Sequence, residues 1–159
     1  MNKHSENEKI TRIEKRSIEV QAIAPVIEMV SKKIGKKEAL EILEKVNQQE
    51  AFERGQSTVR TPGLSTIEEL VKDVSTWGDG GEWKIEVLEE TSTTYYFNVH
   101  RCLYYEKYKE LGLEKIGVQL SCCRDEPFAK GLDPKLRLSR TQTIMEGADF
   151  CDFRYNLDN

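Results

Sequence analysis

The first half of the chain carries apolar residues at the spacing of amphipathic helices. Between positions 9 and 33 they recur at steps of three and four, which predicts one helical stripe. Pro25 interrupts this stripe, so either a kink or a junction between two helices is expected there. Gly35 is a natural helix stop, and the same spacing resumes over 36–52 as a second predicted helix.

Turn signals and a change of period mark the middle of the chain. Ser65 and Glu68 form a capping-box signature, which predicts a third helix running to about residue 76. Apolar and polar residues then alternate over 83–89, and β-branched and aromatic residues fill 93–100. The short connection between these two segments predicts a β-hairpin.

The last third is predicted to contain both helices and strands. Helical spacing returns over 101–111, and a further helix is predicted over 113–123, stopped before Pro127. Alternation over 135–145 and over 150–155 predicts two final strands. The expected order is three N-terminal helices followed by β-β-α-α-β-β. This is an α+β fold in which helices pack on one face of an antiparallel sheet.

Length and charge narrow the functional classes. A chain of 159 residues is expected to form a single domain over 1–159, with a helical part over 1–76 and a sheet-containing part over 77–159 that carries the site. The net charge of −4 at pH 7 shows no basic excess, which argues against a nucleic-acid partner. No apolar run approaches the roughly 20 residues of a membrane helix.

The remaining expectations concern compartment and partners. The N-terminal segment is polar and lacks the apolar core of a signal peptide, so we expect a cytoplasmic protein that contacts no membrane. The expected partner is a small-molecule substrate. A homo-oligomer is left open, because the long first helix can pack on a second copy or on its own sheet.

All four cysteines lie in the last third of the chain. They are Cys102, Cys122, Cys123 and Cys151. In a reducing compartment such residues are more often free thiols, metal ligands or catalysts than disulfides. Cys102 opens a predicted helix, where unpaired amides and the helix dipole favour a thiolate nucleophile. The alternative is that Cys102 is a small buried apolar residue on the core face of that helix.

Ionisable residues accompany the cysteines at defined spacings. Cys122 and Asp125 are three residues apart, so a helix places both on one face, where a thiol and a base can activate water. The alternative is a surface carboxylate beside a core thiol. On the last strand, Cys151 shares a face with Phe153, whereas Arg154 points to the opposite face.

Three further candidates lie near the predicted strand ends. Glu146 precedes a glycine at a predicted turn and can act as a general acid or base at a pocket rim, or be a solvated turn residue. Arg140 can bind a substrate carboxylate through two parallel hydrogen bonds, or lie over the sheet. His100 adds a titratable group close to Cys102 in the sequence.

Five segments of the last third occur in a specific order: Tyr96–Cys102, Leu120–Cys122, Arg124–Asp125, Arg140–Ala148 and Cys151–Tyr155. This ordered set resembles the L-2-amino-thiazoline-4-carboxylic acid hydrolase family. The resemblance implies hydrolytic opening of a cyclic amidine thioether, giving an N-carbamoyl-cysteine-type product. It favours as catalytic residues Cys102, Cys122, Asp125, Cys151 and Glu146, and as substrate-binding residues His100, Arg140 and Arg154.

Two mechanisms fit this set of residues. In the first, a cysteine thiolate attacks the amidine carbon and water then releases the product. In the second, Asp125 or Glu146 activates water directly and the thiols only line the site. Zinc held by three thiols and one acid is a further alternative, but the spacings contain no CxxC pair. We therefore expect thiol chemistry without metal or cofactor, and the competing class is a small-molecule or metal-binding sensory module that uses the same cysteines.

Overall fold

The computed structural model describes residues 10–81 and 83–158. The helices α1 to α6 span Arg12–Ile34, Lys36–Gln56, Thr66–Ser75, Leu103–Glu110, Gly117–Leu120 and Asp125–Leu132. The strands β1 to β4 span Lys84–Glu90, Thr94–Arg101, Leu136–Ser139 and Cys151–Leu157. Short 3₁₀ turns lie at Thr76–Gly78, Glu114–Ile116, Cys122–Arg124 and Ile144–Glu146. The predicted α+β class is confirmed.

The four strands form one antiparallel sheet in the order β1-β2-β4-β3, so β2 and β4 are central. Val99 of β2 is paired with Cys151 of β4, and Phe97 with Phe153. Cys151, Phe153 and Tyr155 are buried, whereas the intervening residues are only partly buried. The predicted alternation of β4 is therefore confirmed, because one face of the sheet is covered and the other is not.

The core consists of two apolar clusters that meet over the covered face of the sheet. The first contains an aromatic group in which Trp77 contacts Phe97 and Phe153 with ring centroids 6.1 and 5.4 Å apart. The second joins α1 and α2 to the segment after β2, around the fully buried Tyr108. The candidate site lies between the two clusters.

Two glycines allow α2 and α6 to pack backbone against backbone. A Cβ atom on Gly55 would lie 2.3 Å from the carbonyl oxygen of Phe128. A Cβ atom on Gly131 would lie 2.1 Å from the carbonyl oxygen of Phe52. Neither distance is sterically allowed, so this helix crossing requires glycine at both positions. The crossing also brings Arg54, at the end of α2, over the ring of Phe128 at 4.2 Å.

The helix α1 excludes one of the two alternatives at Pro25, the junction between two helices, and it begins later than expected. It is a single helix through Pro25, which is exposed, so water can satisfy the carbonyl left without a donor. The expected start at position 9 lies outside the described residues. Thr11 caps the helix and forms a reciprocal capping box with Glu14, which makes Arg12 the first helical residue. Gly35, at φ 95°, ends the helix as expected.

The segment 113–146 contains the larger errors of prediction. The prediction of a helix over 113–123 is wrong. This segment instead contains the single helical turn α5 with a 3₁₀ turn on each side of it. The helix α6 is not among the expected elements, because Pro127 indicates a helix stop in the sequence. Proline is tolerated in the first turn of a helix, where backbone N–H groups need no helical acceptor, and α6 begins at Asp125. The strand expected over 135–145 extends only over Leu136–Ser139.

Candidate functional site

A cavity of about 70 Å³ lies between the covered face of the sheet and the helices. This volume is roughly five times the minimum needed for one water molecule, so the cavity suits a small molecule and not a polymer. The residues that line it are Arg12, Arg16, Arg54, Trp77, Trp83, Val99, Cys102, Tyr104, Ser121, Cys122, Arg124, Asp125, Arg140, Met145, Cys151 and Phe153. Five of the eight sequence candidates are among them: Cys102, Cys122, Asp125, Arg140 and Cys151.

Three of the four thiols therefore meet in this cavity, and all four are free. The sulfur of Cys102 caps α4 and accepts a hydrogen bond from the Tyr105 N–H at 3.4 Å. The sulfur of Cys151 accepts one from the Ile144 N–H at 3.2 Å. Cys123 is not part of the cavity lining, and its thiol donates to the carbonyl of Gln119 at 3.2 Å.

The expected thiolate at Cys102 is not favoured by its surroundings. Burial raises the pKa of Cys102 to about 12, although the Tyr105 N–H acts in the opposite direction. Burial also raises the pKa of Cys122 and that of Cys151. The helix start does supply a donor, but the loss of hydration outweighs it. The three cavity thiols are therefore protonated near neutral pH.

Asp125 and Arg140 form an ion pair in the cavity wall. Nη1 of Arg140 is 2.6 Å from Oδ2 of Asp125, and Nη2 donates to the carbonyl of Cys122 at 2.9 Å. The Asp125 side chain is 23% exposed, into the cavity that it lines. Burial raises the pKa of Asp125, and the charge of Arg140 limits the increase. Arg140, for which binding of a substrate carboxylate is predicted, lines the cavity and binds a carboxylate of the protein.

The other three candidates lie away from this cavity. Glu146 is exposed, and its carboxylate accepts a hydrogen bond from Thr143 Oγ1 at 2.7 Å within a 3₁₀ turn. His100 lies 2.9 Å from a carboxylate oxygen of Glu86 on the neighbouring strand. Arg154 lies on the opposite face of β4 and donates to the Phe97 carbonyl at 2.9 Å. Each of these side chains contacts the sheet or a turn, and none of them lines the cavity.

Sequence reasoning missed four arginines that line the cavity: Arg12, Arg16, Arg54 and Arg124. Two signals in the sequence point to members of this set: Arg12 and Arg16 are about one helical turn apart on α1, and Arg124 precedes Asp125 in a segment of the family resemblance. Arg54 and Arg124 come from α2 and from the 3₁₀ turn before α6. Among residues 10–81 and 83–158, five guanidinium groups including that of Arg140 line the cavity, against the single carboxylate of Asp125, which favours an anionic ligand.

Metal binding and membrane insertion find no support in the described part of the chain. Across residues 10–81 and 83–158, no three His, Cys, Asp or Glu side chains are grouped so that they could hold a metal ion. Within the same ranges, no helix has the length and apolar character needed to span a bilayer.

Comparison with known proteins agrees with the resemblance noted in the sequence. A search of curated proteins finds no match to this chain. A family model described as L-2-amino-thiazoline-4-carboxylic acid hydrolase matches residues 15–155, which include α2 to α6, the whole sheet region up to Tyr155 and every cavity-lining residue except Arg12. The chain therefore belongs to the L-2-amino-thiazoline-4-carboxylic acid hydrolase family.

Proposed function

We propose that this protein hydrolyses L-2-amino-thiazoline-4-carboxylic acid, or a close ring analogue, to an N-carbamoyl-cysteine-type product. The observation that carries the proposal is the Asp125–Arg140 pair, which presents a carboxylate to a small, arginine-lined cavity. A small ring compound with a carboxylate matches the arginine-rich lining of this cavity. The family to which the chain belongs supports the same substrate.

In the proposed reaction Asp125 is the general base and then the general acid. It removes a proton from a water molecule as the water oxygen forms a bond to the amidine carbon, C2 of the ring. As C2 becomes tetrahedral, the C2–N3 double bond becomes single and N3 takes up a proton from solvent. The C2–S bond then breaks while the added hydroxyl loses its proton to solvent and becomes the urea carbonyl, and the proton on Asp125 passes to the departing sulfur. One water is consumed, the C–S bond is lost, and the product contains one urea group and one free thiol. No oxidant or reductant is required.

The environment of Asp125 suits both halves of this cycle. A carboxylate with a raised pKa is a stronger base than an ordinary aspartate, and its protonated form is accessible when the sulfur departs. Arg140 positions the carboxylate through one hydrogen bond and is itself held by the Cys122 carbonyl. This role as a positioning residue replaces the substrate clamp expected for Arg140.

The cysteines are assigned to the cavity wall in this proposal. A thiolate mechanism needs a cysteine that is ionised at working pH, and burial opposes that for Cys102, Cys122 and Cys151. Protonated thiols are weakly polar, and they exclude bulk water from the reacting carbon. The water-activating mechanism is therefore preferred over covalent catalysis.

The test is turnover of the purified protein, followed as the new thiol of the product with a chromogenic thiol reagent. The wild type is expected to open the ring, and Asp125→Asn is expected to lose activity by roughly 10²- to 10⁴-fold, the usual contribution of a general base. Asp149→Asn, an exposed matched change, is expected to leave turnover unaltered. Binding of the ring without turnover by the wild type would contradict the proposal and assign the cavity to a binding module.

A further inference from the structure

We propose that Arg54 and the indole N–H of Trp83 bind the carboxylate of the substrate and so select ring compounds that carry one. The inference rests on the proposed function, because it assigns a role within the same cavity. It concerns recognition of the anionic group and not the bond that breaks. Neither residue was a candidate from the sequence.

Three of the five cavity arginines already have a carboxylate within hydrogen-bond distance: Arg16 has Glu19, Arg124 has Glu50 and Arg140 has Asp125. Arg124 is held further by the side-chain carbonyl of Asn47 at 2.9 Å, and its side chain is 10% exposed. These guanidinium groups are committed to the protein. The remaining two, Arg12 and Arg54, are the ones with capacity for a ligand.

Arg12 and Arg54 share a single carboxylate. Nη1 of each lies 3.6 Å from the same atom, Oδ1 of Asp73, which is an ion-pair distance and not a hydrogen bond. The other oxygen of Asp73 accepts a hydrogen bond from Trp77 Nε1 at 3.1 Å. Arg12 also donates to Thr76 Oγ1 at 2.5 Å. The single negative charge of Asp73 is thus shared by two guanidinium groups.

Arg54 is the guanidinium with free donors. Its side chain donates no hydrogen bond to any residue in the described ranges, and it rests on the ring of Phe128. Burial lowers the pKa of Arg54, and the charges of Arg12 and Arg16 add to that effect against the attraction of Asp73. An anion placed beside Arg54 would therefore restore favourable electrostatics, since among the described residues Arg54 shares the one carboxylate of Asp73 with Arg12.

Trp83 supplies a second donor in the same wall. Its Nε1 atom is buried and has no hydrogen-bond partner among the described residues. Its ring contacts Trp77 with centroids 5.7 Å apart, and Trp77 is the residue that holds Asp73. Trp83 lines the same cavity as Arg12 and Arg54, and Trp77 links its ring to Asp73. A buried donor without an acceptor is unfavourable, and a ligand oxygen would satisfy it.

The two donors suit the two oxygens of a carboxylate, one on the guanidinium and one on the indole. Arg54 also acts electrostatically on Asp125, so the anion site and the base lie within range of each other. In the thiazoline ring the carboxylate is on C4 and the carbon that reacts is C2, with N3 between them. In this proposal the two parts of the ring therefore meet different lining residues, the carboxylate at Arg54 and C2 at Asp125.

The test is calorimetric binding of two ring compounds that cannot undergo the reaction, L-thiazolidine-4-carboxylate and thiazolidine. The wild type is expected to bind the carboxylate and to discriminate strongly against thiazolidine. Arg54→Gln is expected to weaken carboxylate binding roughly ten- to hundredfold, the range of a charge-assisted hydrogen bond. Arg54→Lys retains the positive charge but lacks the planar guanidinium, so its carboxylate affinity should lie between those of the wild type and Arg54→Gln. Trp83→Phe, which keeps the ring packing, should give a smaller loss.

Arg137→Gln is the matched control, because Arg137 is half exposed and pairs with Asp158 away from the cavity. It is expected to bind as the wild type does, and circular dichroism confirms folding of every variant. Equal carboxylate affinity in the wild type and both Arg54 variants would overturn the proposal, as would a wild type that binds neither compound. Because no turnover is measured, a protein that binds the carboxylate yet fails to open the aminothiazoline ring would refute the hydrolase and retain the anion site.

Discussion

Asp125 combines burial with one strong partner, and this combination determines the pH dependence of the site. Burial raises the pKa of Asp125 above the usual 3.8, so the base form is lost at a higher pH than for an exposed aspartate. We expect kcat/KM to decrease as the pH falls through this raised pKa. The measurement is a pH–rate profile of ring opening on the acid side.

Two variants separate this acid limb from other causes. Asp125→Asn should remove the limb from its residual activity, whereas the exposed control Asp149→Asn should retain it. An acid limb that persists unchanged in Asp125→Asn would show that another group provides the base. A rate that instead climbs steadily into the alkaline range would indicate a thiolate nucleophile.

The cavity cysteines are expected to be slow to react and dispensable for chemistry. Cys102→Ser, Cys122→Ser and Cys151→Ser should each keep kcat within about tenfold of the wild type, because protonated thiols are poor nucleophiles. Iodoacetamide labelling near neutral pH should be slow at all three. Cys123→Ser is the control outside the cavity. A loss near 10³-fold in one cavity variant alone would restore covalent catalysis.

At the scale of helices and strands, the crossing of α2 and α6 positions both Arg54 and Asp125. Gly131→Ala is expected to destabilise the protein by about 1–3 kcal/mol or more, because the added methyl group meets the backbone of Phe52. Backbone cannot rotate aside as a side chain can. The measurement is the free energy of unfolding in urea.

The comparison for this change is Gly78→Ala. A Cβ atom there would have Trp83 at 3.9 Å as its nearest neighbour, which is an ordinary contact. We expect its unfolding free energy to stay close to that of the wild type. If Gly131→Ala were as mild as Gly78→Ala, the close approach of the two helices would be wrong.

At the scale of the whole molecule, partly buried thiols are expected to lower the free energy of unfolding at alkaline pH. The pKa values of Cys102 and Cys123 are raised from 9.0 to about 12. At pH values between 9.0 and about 12 these thiols have lost their protons in the unfolded chain but keep them in the native protein. The free energy of unfolding must therefore fall as the pH rises. Each thiol contributes a slope of at most about 1.4 kcal/mol per pH unit.

Urea unfolding at a series of pH values from neutral to about pH 10 measures this slope. Cys123→Ser should reduce the decrease of unfolding free energy with pH by the contribution of one thiol. The same variant should open the ring at the wild-type rate, because Cys123 is outside the cavity. An unchanged slope in this variant would mean that the thiol of Cys123 ionises as readily in the folded protein as in the unfolded one.

The sequence by itself determined the order of the first six helices and strands, the capping box at Ser65 and the buried face of β4. Each of these depends on residues within a few positions of one another, where helix and strand periodicity is decisive. The family resemblance grouped Cys102, Cys122, Cys151 and Asp125 as candidates, and the fold brings all four to the wall of one cavity.

Only the tertiary structure decided which charges reach that cavity and what state its groups take. Arg54 and Trp83 lie far apart in the chain, and no local spacing connects them to Asp73. Glu146 shares its sequence neighbourhood with the cavity residue Met145 but is exposed. Hydration and neighbouring charge set each pKa, and both depend on contacts between distant segments that exist only once the chain has folded.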